Sequence, residues 1–204
     1  YTPFEVADQT FTGTIDITGE LKTTTLGTSN FRAGVNTGNS IAPGGNENTF
    51  VGDEAGTATT TGDANTGIGF GALAANTTGL RNTAVGRRAL VANTEGVDND
   101  AFGRHALEAN TTGKQNVAIG RATLASSQTA DNNTAVGYSA GIAVTGNSNT
   151  LIGALAGDAL LAAADNVAVG ASALSTETGG QNNVALGKNA LFAQVNSSGN
   201  IYNT

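Results

Sequence analysis

The chain has 204 residues, of which 29 are glycine and 2 are proline, and only 12% of its residues are charged. Abundant glycine with little proline and little charge is typical of repeated tight turns rather than of disorder. The net charge of −7 is opposite in sign to that of proteins that track nucleic-acid phosphates, and the absence of cysteine excludes disulfides and thiolate metal sites.

Residues 1–29 do not share the pattern of the rest of the chain and predict a short N-terminal β segment. Ile15, Ile17 and Leu21 stand an even number of residues apart, so they would lie on one face of an extended strand. Two roles are open for this segment. It would either cap the fold formed by the later residues or dock onto another copy of the chain.

Residues 30–47 predict a degenerate first turn followed by a loop. The stretch N-F-R-A-G at residues 30–34 is similar to the repeats further along the chain. Residues 35–47 include Pro43, Gly44 and Gly45 in succession, a combination that marks a loop.

Residues 48–204 consist of a repeat in which an asparagine is followed four residues later by a glycine. Successive asparagines are 17 residues apart, except for a spacing of 16 between Asn133 and Asn149. The recurring asparagines are Asn48, Asn65, Asn82, Asn99, Asn116, Asn133, Asn149, Asn166 and Asn183. The glycines are Gly52, Gly69, Gly86, Gly103, Gly120, Gly137, Gly153, Gly170 and Gly187. A fixed period of this length is the signature of a solenoid.

The repeat has the consensus N-x-A-V-G-x-x-A-L-x-A-N-T-T-G-x-x, whose positions we number 1 to 17. Its apolar pieces, at positions 3–4 and 8–9, are too short for helices, and the polar clusters after them mark turns. One unit cannot offset an ordering cost of about 1–2 kcal/mol per residue, whereas stacked units can. We therefore predict an all-β fold: a parallel β-solenoid (β-roll) of about ten 17-residue turns, stacked about 4.8 Å apart.

Stacking gives each consensus position a predicted role. The asparagines at position 1 would form a ladder in which each amide donates to the next one. The glycines at position 5 would turn the chain with φ > 0. Alanine at positions 3 and 8 would lie where two walls of the coil approach each other. The large apolar residues at position 4 would stack inside the coil; they are Val51, Ile68, Val85, Phe102, Ile119, Val136, Ile152, Val169 and Leu186.

The motif N-x-A-V-G-x-x-A-L, as at residues 82–90 and 166–174, resembles the head repeat of trimeric autotransporter adhesins of the YadA type. Similar repeats occur in phage tail-fibre proteins. The resemblance covers about residues 48–203. It implies a left-handed parallel β-roll, three chains side by side, an extracellular or cell-surface location, and binding to matrix, host cells or other bacteria.

Basic side chains recur at one place in the repeat. Arg87, Arg104 and Arg121 occupy position 6 of three successive turns, and Arg88 and His105 follow at position 7. In a stacked rod such cations lie about 5 Å apart along one stripe. They would bind an anionic glycan or phosphate, or pair with an adjacent chain or with acidic residues nearby. Those acidic residues are Glu95, Asp98, Asp100 and Glu108.

We expect no enzyme activity, cofactor or metal. His105 is the only histidine, so three histidine ligands cannot come from one chain. Neither a nucleophile elbow nor a phosphate-loop lysine is present. No apolar run approaches the roughly 18 to 20 residues that cross a bilayer, and the acidic charge argues against nucleic-acid partners.

These observations lead us to expect an extracellular structural or adhesive fibre protein, a β-roll head module that mediates surface attachment. Two alternatives are a subunit of a head-to-tail extracellular filament and a segment of a phage tail fibre. The expected partners are other copies of the chain, as a homotrimer or a head-to-tail polymer, and glycans or matrix proteins on host or bacterial surfaces.

Overall fold

The computed structural model describes residues 27, 29–176 and 180–192. In this part of the chain, ten strands of three residues form one parallel sheet in chain order, and no helix is present. The all-β parallel solenoid predicted from the repeat is confirmed, with about nine turns of about 17 residues. Most of the predicted N-terminal β segment lies outside the described residues. The strands are β1 Phe31–Ala33, β2 Thr49–Val51, β3 Thr66–Ile68, β4 Thr83–Val85, β5 Asp100–Phe102, β6 Val117–Ile119, β7 Thr134–Val136, β8 Thr150–Ile152, β9 Val167–Val169 and β10 Val184–Leu186.

The register places equivalent residues of successive coils directly above one another. Thr66 pairs with Thr83, for example, one repeat further along the chain. The same register holds across the short coil, where Thr134 pairs with Thr150. The missing residue is therefore absorbed outside the strands, and the columns of side chains formed by the strands continue past it.

Residues 30–47 form a complete first coil. β1 pairs with β2, and the residues expected to be a loop stack on the second coil through backbone hydrogen bonds. Gly38 N donates to Ala55 O at 2.9 Å, and Ala42 N donates to Thr60 O at 2.9 Å. The segment lacks strand structure after β1, but its backbone pairs as the later coils do.

The interior of the coil is filled by positions 3, 8 and 9. Alanine predominates at positions 3 and 8, where it is fully buried, as the close approach of two walls predicts. Position 9 supplies the larger side chains, since Leu73, Leu90, Leu107 and Leu124 are all fully buried. Where all three positions follow the consensus, one leucine and two alanines per coil make a dry spine along the rod.

Two coils invert this distribution of volume and show how tightly the interior is packed. Phe50 and Leu151 replace alanine at position 3, and glycine replaces leucine at position 9 of the same coils. A Cβ added to Gly56 would lie 2.5 Å from the Phe50 ring, and one added to Gly157 would lie 2.7 Å from Leu151 Cδ2. Large and small side chains therefore exchange places so that the total volume is kept.

The prediction that position 4 stacks inside the coil is wrong. Ile68, Phe102, Ile119 and Ile152 are 40–42% exposed, whereas the position 3 residue before each of them is buried. Successive side chains of a strand point to opposite faces, so positions 3 and 4 cannot both face inward. Position 4 consequently forms a column on the outer face of the sheet.

Each coil contains one strand, although the repeat has two apolar pieces. Positions 8–9 lie in a run of turns in which positions 5, 7 and 9 have positive φ. The position 5 glycines have φ between 119° and 142°, while Arg88 and Leu90 have φ of 59° and 50°. The backbone still pairs between coils: Arg88 N donates to Phe70 O at 2.9 Å and Leu90 N to Ala106 O at 3.0 Å. These bonds offset the cost of about 1–2 kcal/mol for a left-handed residue with a side chain.

Candidate functional site

The asparagines at position 1 form a buried hydrogen-bonded ladder. Asn82 Nδ2 donates to Asn65 Oδ1 at 3.2 Å and to Gly96 O at 2.8 Å, and Asn82 N donates to the same Asn65 oxygen at 3.0 Å. Each amide oxygen thus accepts from the next coil while each amide nitrogen donates to the previous one. An amide is suited to this place because it has both donors and an acceptor. The ladder joins Asn30, Asn48, Asn65, Asn82, Asn99, Asn116, Asn133, Asn149, Asn166 and Asn183.

A second ladder, which our sequence reasoning missed, runs along position 12. Asn93 Nδ2 donates to Asn76 Oδ1 at 2.7 Å, and Asn110 Nδ2 donates to Asn93 Oδ1 at 2.8 Å. All three side chains are fully buried. The signal in the sequence was the Asn-Thr pair that precedes the second glycine of these three repeats.

This second ladder depends on a glycine at position 15. A Cβ at Gly96 would lie 2.2 Å from Asn93 Oδ1, and one at Gly113 would lie 2.4 Å from Asn110 Oδ1. The ladder ends where smaller hydroxyl residues take position 12. Thr59 and Ser127 are buried there, and their hydroxyl oxygens have no hydrogen-bond partner among the described residues.

The outward residues of position 4 form what we call the apolar column. It comprises Val51, Ile68, Val85, Phe102, Ile119, Val136, Ile152, Val169 and Leu186, one side chain for each strand from β2 to β10. Threonine, valine or aspartate lies beside it at position 2 of these strands. Continuous exposed apolar surface of this kind is typical of an interaction site.

Arg87, Arg104 and Arg121 form what we call the arginine column, and all three are exposed. Phe70 precedes them at position 6 of the coil before, and Tyr138 follows them in the coil after. The Arg87 guanidinium lies 5.6 Å from the centroid of the Phe70 ring, and that of Arg121 lies 5.4 Å from the Tyr138 ring. Arg121 Nη1 also donates to the Tyr138 hydroxyl at 3.3 Å.

Arg88, predicted to extend this set of cations, pairs with a carboxylate instead, and His105 lies beside the same carboxylate without a hydrogen bond from its Nδ1 atom. Arg88 Nε lies 2.9 Å from Glu108 Oε1, and His105 Nδ1 lies 2.8 Å from Glu108 Oε2. Asp98 also has its own partner, since Arg81 Nε donates to it at 2.6 Å. Hydrogen bonds from Arg81 hold the pKa of Asp98 below its usual value. Two of the acidic residues considered as partners for the arginine column are therefore engaged elsewhere.

The described residues contain few other titratable groups with a shifted pKa. Burial raises the pKa of Asp158, and a hydrogen bond from Ser175 opposes that shift. The part of the chain described here contains no group of three His, Asp or Glu side chains that could hold a metal ion. It also contains no helix with the length and hydropathy to cross a membrane.

The features that remain to be interpreted are the two ladders, the apolar column and the arginine column. The ladders are buried and serve the architecture, whereas the two columns face outward and are open to a partner. No protein-family model, curated protein or solved structure matches the chain.

Proposed function

We propose that this chain is a structural and adhesive module of an extracellular or cell-surface fibre, in which three copies of the rod associate side by side. The observation that carries the proposal is the apolar column. It places one apolar side chain per strand on the outer face of the sheet, and five of them, Ile68, Phe102, Ile119, Ile152 and Leu186, are exposed.

The energy available from this column is of the size that association requires. Full burial of a large apolar side chain contributes about 1.5–3 kcal/mol, so burying the exposed two fifths contributes roughly 0.6–1.2 kcal/mol. For Ile68, Phe102, Ile119 and Ile152 in each of three chains, this amounts to roughly 7–14 kcal/mol. Forming a trimer takes two association steps that each cost about 4–15 kcal/mol, so the column offsets a substantial part of that cost and all of it only near the lower end of the range.

The adhesive part of the proposal rests on how the repeat separates its roles. Positions 1, 3, 5, 8, 9 and 12 build the interior, while positions 6, 7, 10, 11, 13 and 14 contain residues that vary from coil to coil. Variation at the outer positions leaves the spine untouched, so the rod can present different surfaces for binding. The resemblance of the repeat motif to adhesin heads and tail fibres supports the same function and the extracellular location.

The oligomeric part is tested by light scattering coupled to size exclusion. We expect a discrete species of three times 20.1 kDa. The double variant Phe102→Asp with Ile119→Asp should shift it to monomer, because two carboxylates would have to be desolvated in the interface. Thr112→Asp, an exposed change off the column, should leave the trimer intact. A wild-type chain that stays monomeric at every concentration would exclude this function for the column.

A head-to-tail filament is the second candidate, and one observation favours it. Among the described residues, β1 and β10 each have a strand partner on one side only. A strand edge without a partner can pair with another chain. A filament would appear in the same experiment as a polydisperse mass that grows with concentration. Electron micrographs would then show whether the rods add end to end or form the discrete fibre of a phage tail.

Adhesion itself is tested by coating beads with the purified protein and measuring their retention on matrix proteins, host cells and bacterial cells. We expect retention on at least one of these surfaces that excess soluble protein abolishes. Equal retention of uncoated beads would remove the adhesive part of the proposal and leave a purely structural fibre.

A further inference from the structure

We propose that the arginine column, with Phe70 and Tyr138 at its two ends, binds a linear anionic polysaccharide that bears carboxylate or sulfate groups and lies along the rod. This inference rests on the proposed adhesive function and names the chemistry of its ligand. It is carried by three features of the column, which are its unpaired charge, its spacing and its aromatic ends.

The charge of the column is not neutralised within the described chain. None of Arg87, Arg104 and Arg121 takes part in an ion pair with the residues that the structure describes, although Arg81 and Arg88 both do. Three adjacent exposed cations repel one another, and no described carboxylate lies within ion-pair distance of any of them. In a protein whose net charge is −7, such a concentration of positive charge creates a local site for an anion.

The spacing of the column suits a polymer rather than a single ion. Equivalent residues of successive coils are about 4.8 Å apart, so the outer two arginines are separated by roughly 10 Å along the rod. A single phosphate or sulfate cannot reach all three. A chain of sugar rings that carries an acidic group on successive units can place one group at each guanidinium, whose fork of donors matches carboxylate and sulfate oxygens.

The aromatic residues add a second kind of contact and fix the orientation of the arginines. Phe70 and Tyr138 stack against Arg87 and Arg121, which holds each guanidinium along the column. Phe70 and Tyr138 are 44% and 50% exposed, so each can also pack against the C–H face of a sugar. From Phe70 to Tyr138 the site extends over five coils, or about 19 Å.

A polysaccharide fits these observations better than a nucleic acid does. Duplex DNA carries a negative charge about every 1.7 Å along its axis, far denser than one cation per coil. A sparse polyanion with apolar ring faces matches both the charges and the aromatic ends.

The test is isothermal titration calorimetry of the full chain with heparin, with polygalacturonate and with neutral dextran. We expect binding to at least one of the anionic polymers, no binding to dextran, and weakening by salt as counterions are released. Each of Arg87→Gln, Arg104→Gln and Arg121→Gln should lower the affinity about two- to fivefold, and the triple variant about tenfold to a hundredfold.

Arg81→Gln is the matched control, because Arg81 is exposed on the same rod but paired with Asp98. It should leave the affinity unchanged. The proposed site would be overturned if Arg81→Gln and Arg104→Gln lowered the affinity equally, or if the triple variant kept the wild-type affinity. Equal binding to dextran would overturn it as well, as would tighter binding to duplex DNA than to either anionic polymer.

Light scattering on the same samples separates this proposal from the oligomer. A trimer that binds neither anionic polymer would overturn the polysaccharide site and leave the proposal of a fibre module intact. A triple variant that dissociates into monomers would instead assign the arginines to contacts between chains.

Discussion

The turn at position 5 provides the sharpest test of the stacked architecture, through Gly103→Ala. Gly103 has φ of 142°, and a Cβ placed on it would lie 2.3 Å from Gly120 O and 2.6 Å from Gly120 C. The obstacle is the backbone of the next coil, which cannot move aside as a flexible side chain would. We therefore expect this substitution to force two coils apart.

The cost has two parts. A backbone conformation that is nearly exclusive to glycine costs about 1–3 kcal/mol when a side chain adopts it. Separating the coils also weakens the bonds that flank the turn, such as Gly120 N to Phe102 O at 2.8 Å and Ala122 N to Arg104 O at 2.9 Å. At about 1 kcal/mol for each bond, the total is about 3–5 kcal/mol.

Gly71→Ala is the control, because it introduces the same methyl group at a positive φ without an obstacle. Gly71 has φ of 65°, and the nearest atoms to its Cβ lie 3.8 and 3.9 Å away. Other coils hold side chains at this position, including Arg88 and Ala122, so the expected cost is within about 1 kcal/mol.

Urea unfolding followed by circular dichroism measures both variants against the wild type. Gly103→Ala should unfold at a clearly lower urea concentration, and Gly71→Ala close to the wild type. If the two alanine variants unfold at the same concentration, the close contact between consecutive turns does not exist and the stacking described here is wrong.

Three further outcomes follow from the polar interior. Asn99→Asp removes the amide donors from a fully buried position, so we expect a loss of about 3 kcal/mol or more in urea unfolding at neutral pH. Thr59→Asn should extend the second ladder, because Gly62 already occupies position 15 and Asn76 can donate to the new oxygen. We expect the free energy of unfolding to rise by about 0.5–1.5 kcal/mol in the same assay. A decrease would contradict this prediction. Asp158→Asn should raise stability at neutral pH, since burial raises the pKa of this carboxyl above its usual value and its ionised form is disfavoured in the fold. Wild type should gain stability as the pH falls through that raised pKa, so thermal melts at neutral and acid pH should show the difference between the two chains narrowing in acid.

The course of the backbone was predictable because the 17-residue period is visible in the sequence itself. We could not predict on which side of the sheet position 4 lies. Alanine at position 3 and a larger residue at position 4 look like one apolar piece in the sequence. Alternation along a strand would have separated them had the strand bounds been known. Leu90 was misleading for a related reason, because an apolar residue beside alanine suggests a strand. Leu90 has φ of 50° and lies in a turn, which the hydrogen bonds between coils stabilise.

The candidate site was less accessible to sequence reasoning. The arginine column followed directly from the period, but which cations stay unpaired depends on side-chain geometry. Glu108 reaches both Arg88 and His105, a choice that spacing alone does not reveal. The second ladder was hidden because Asn93 lies in a polar cluster that is typical of exposed turns, and its burial follows only from the stacking of three such clusters.

The tolerance of the sheet for coils of unequal length has a consequence for how such a chain can change. The strands keep their alignment across the 16-residue spacing between Asn133 and Asn149 and the 18-residue spacing between Asn30 and Asn48. Small insertions and deletions outside the strand of a coil therefore leave the strand alignment of the neighbouring coils unchanged. Duplication or loss of a whole repeat would lengthen or shorten the rod in steps of about 4.8 Å. The length of the rod could therefore evolve separately from the residues on its surface.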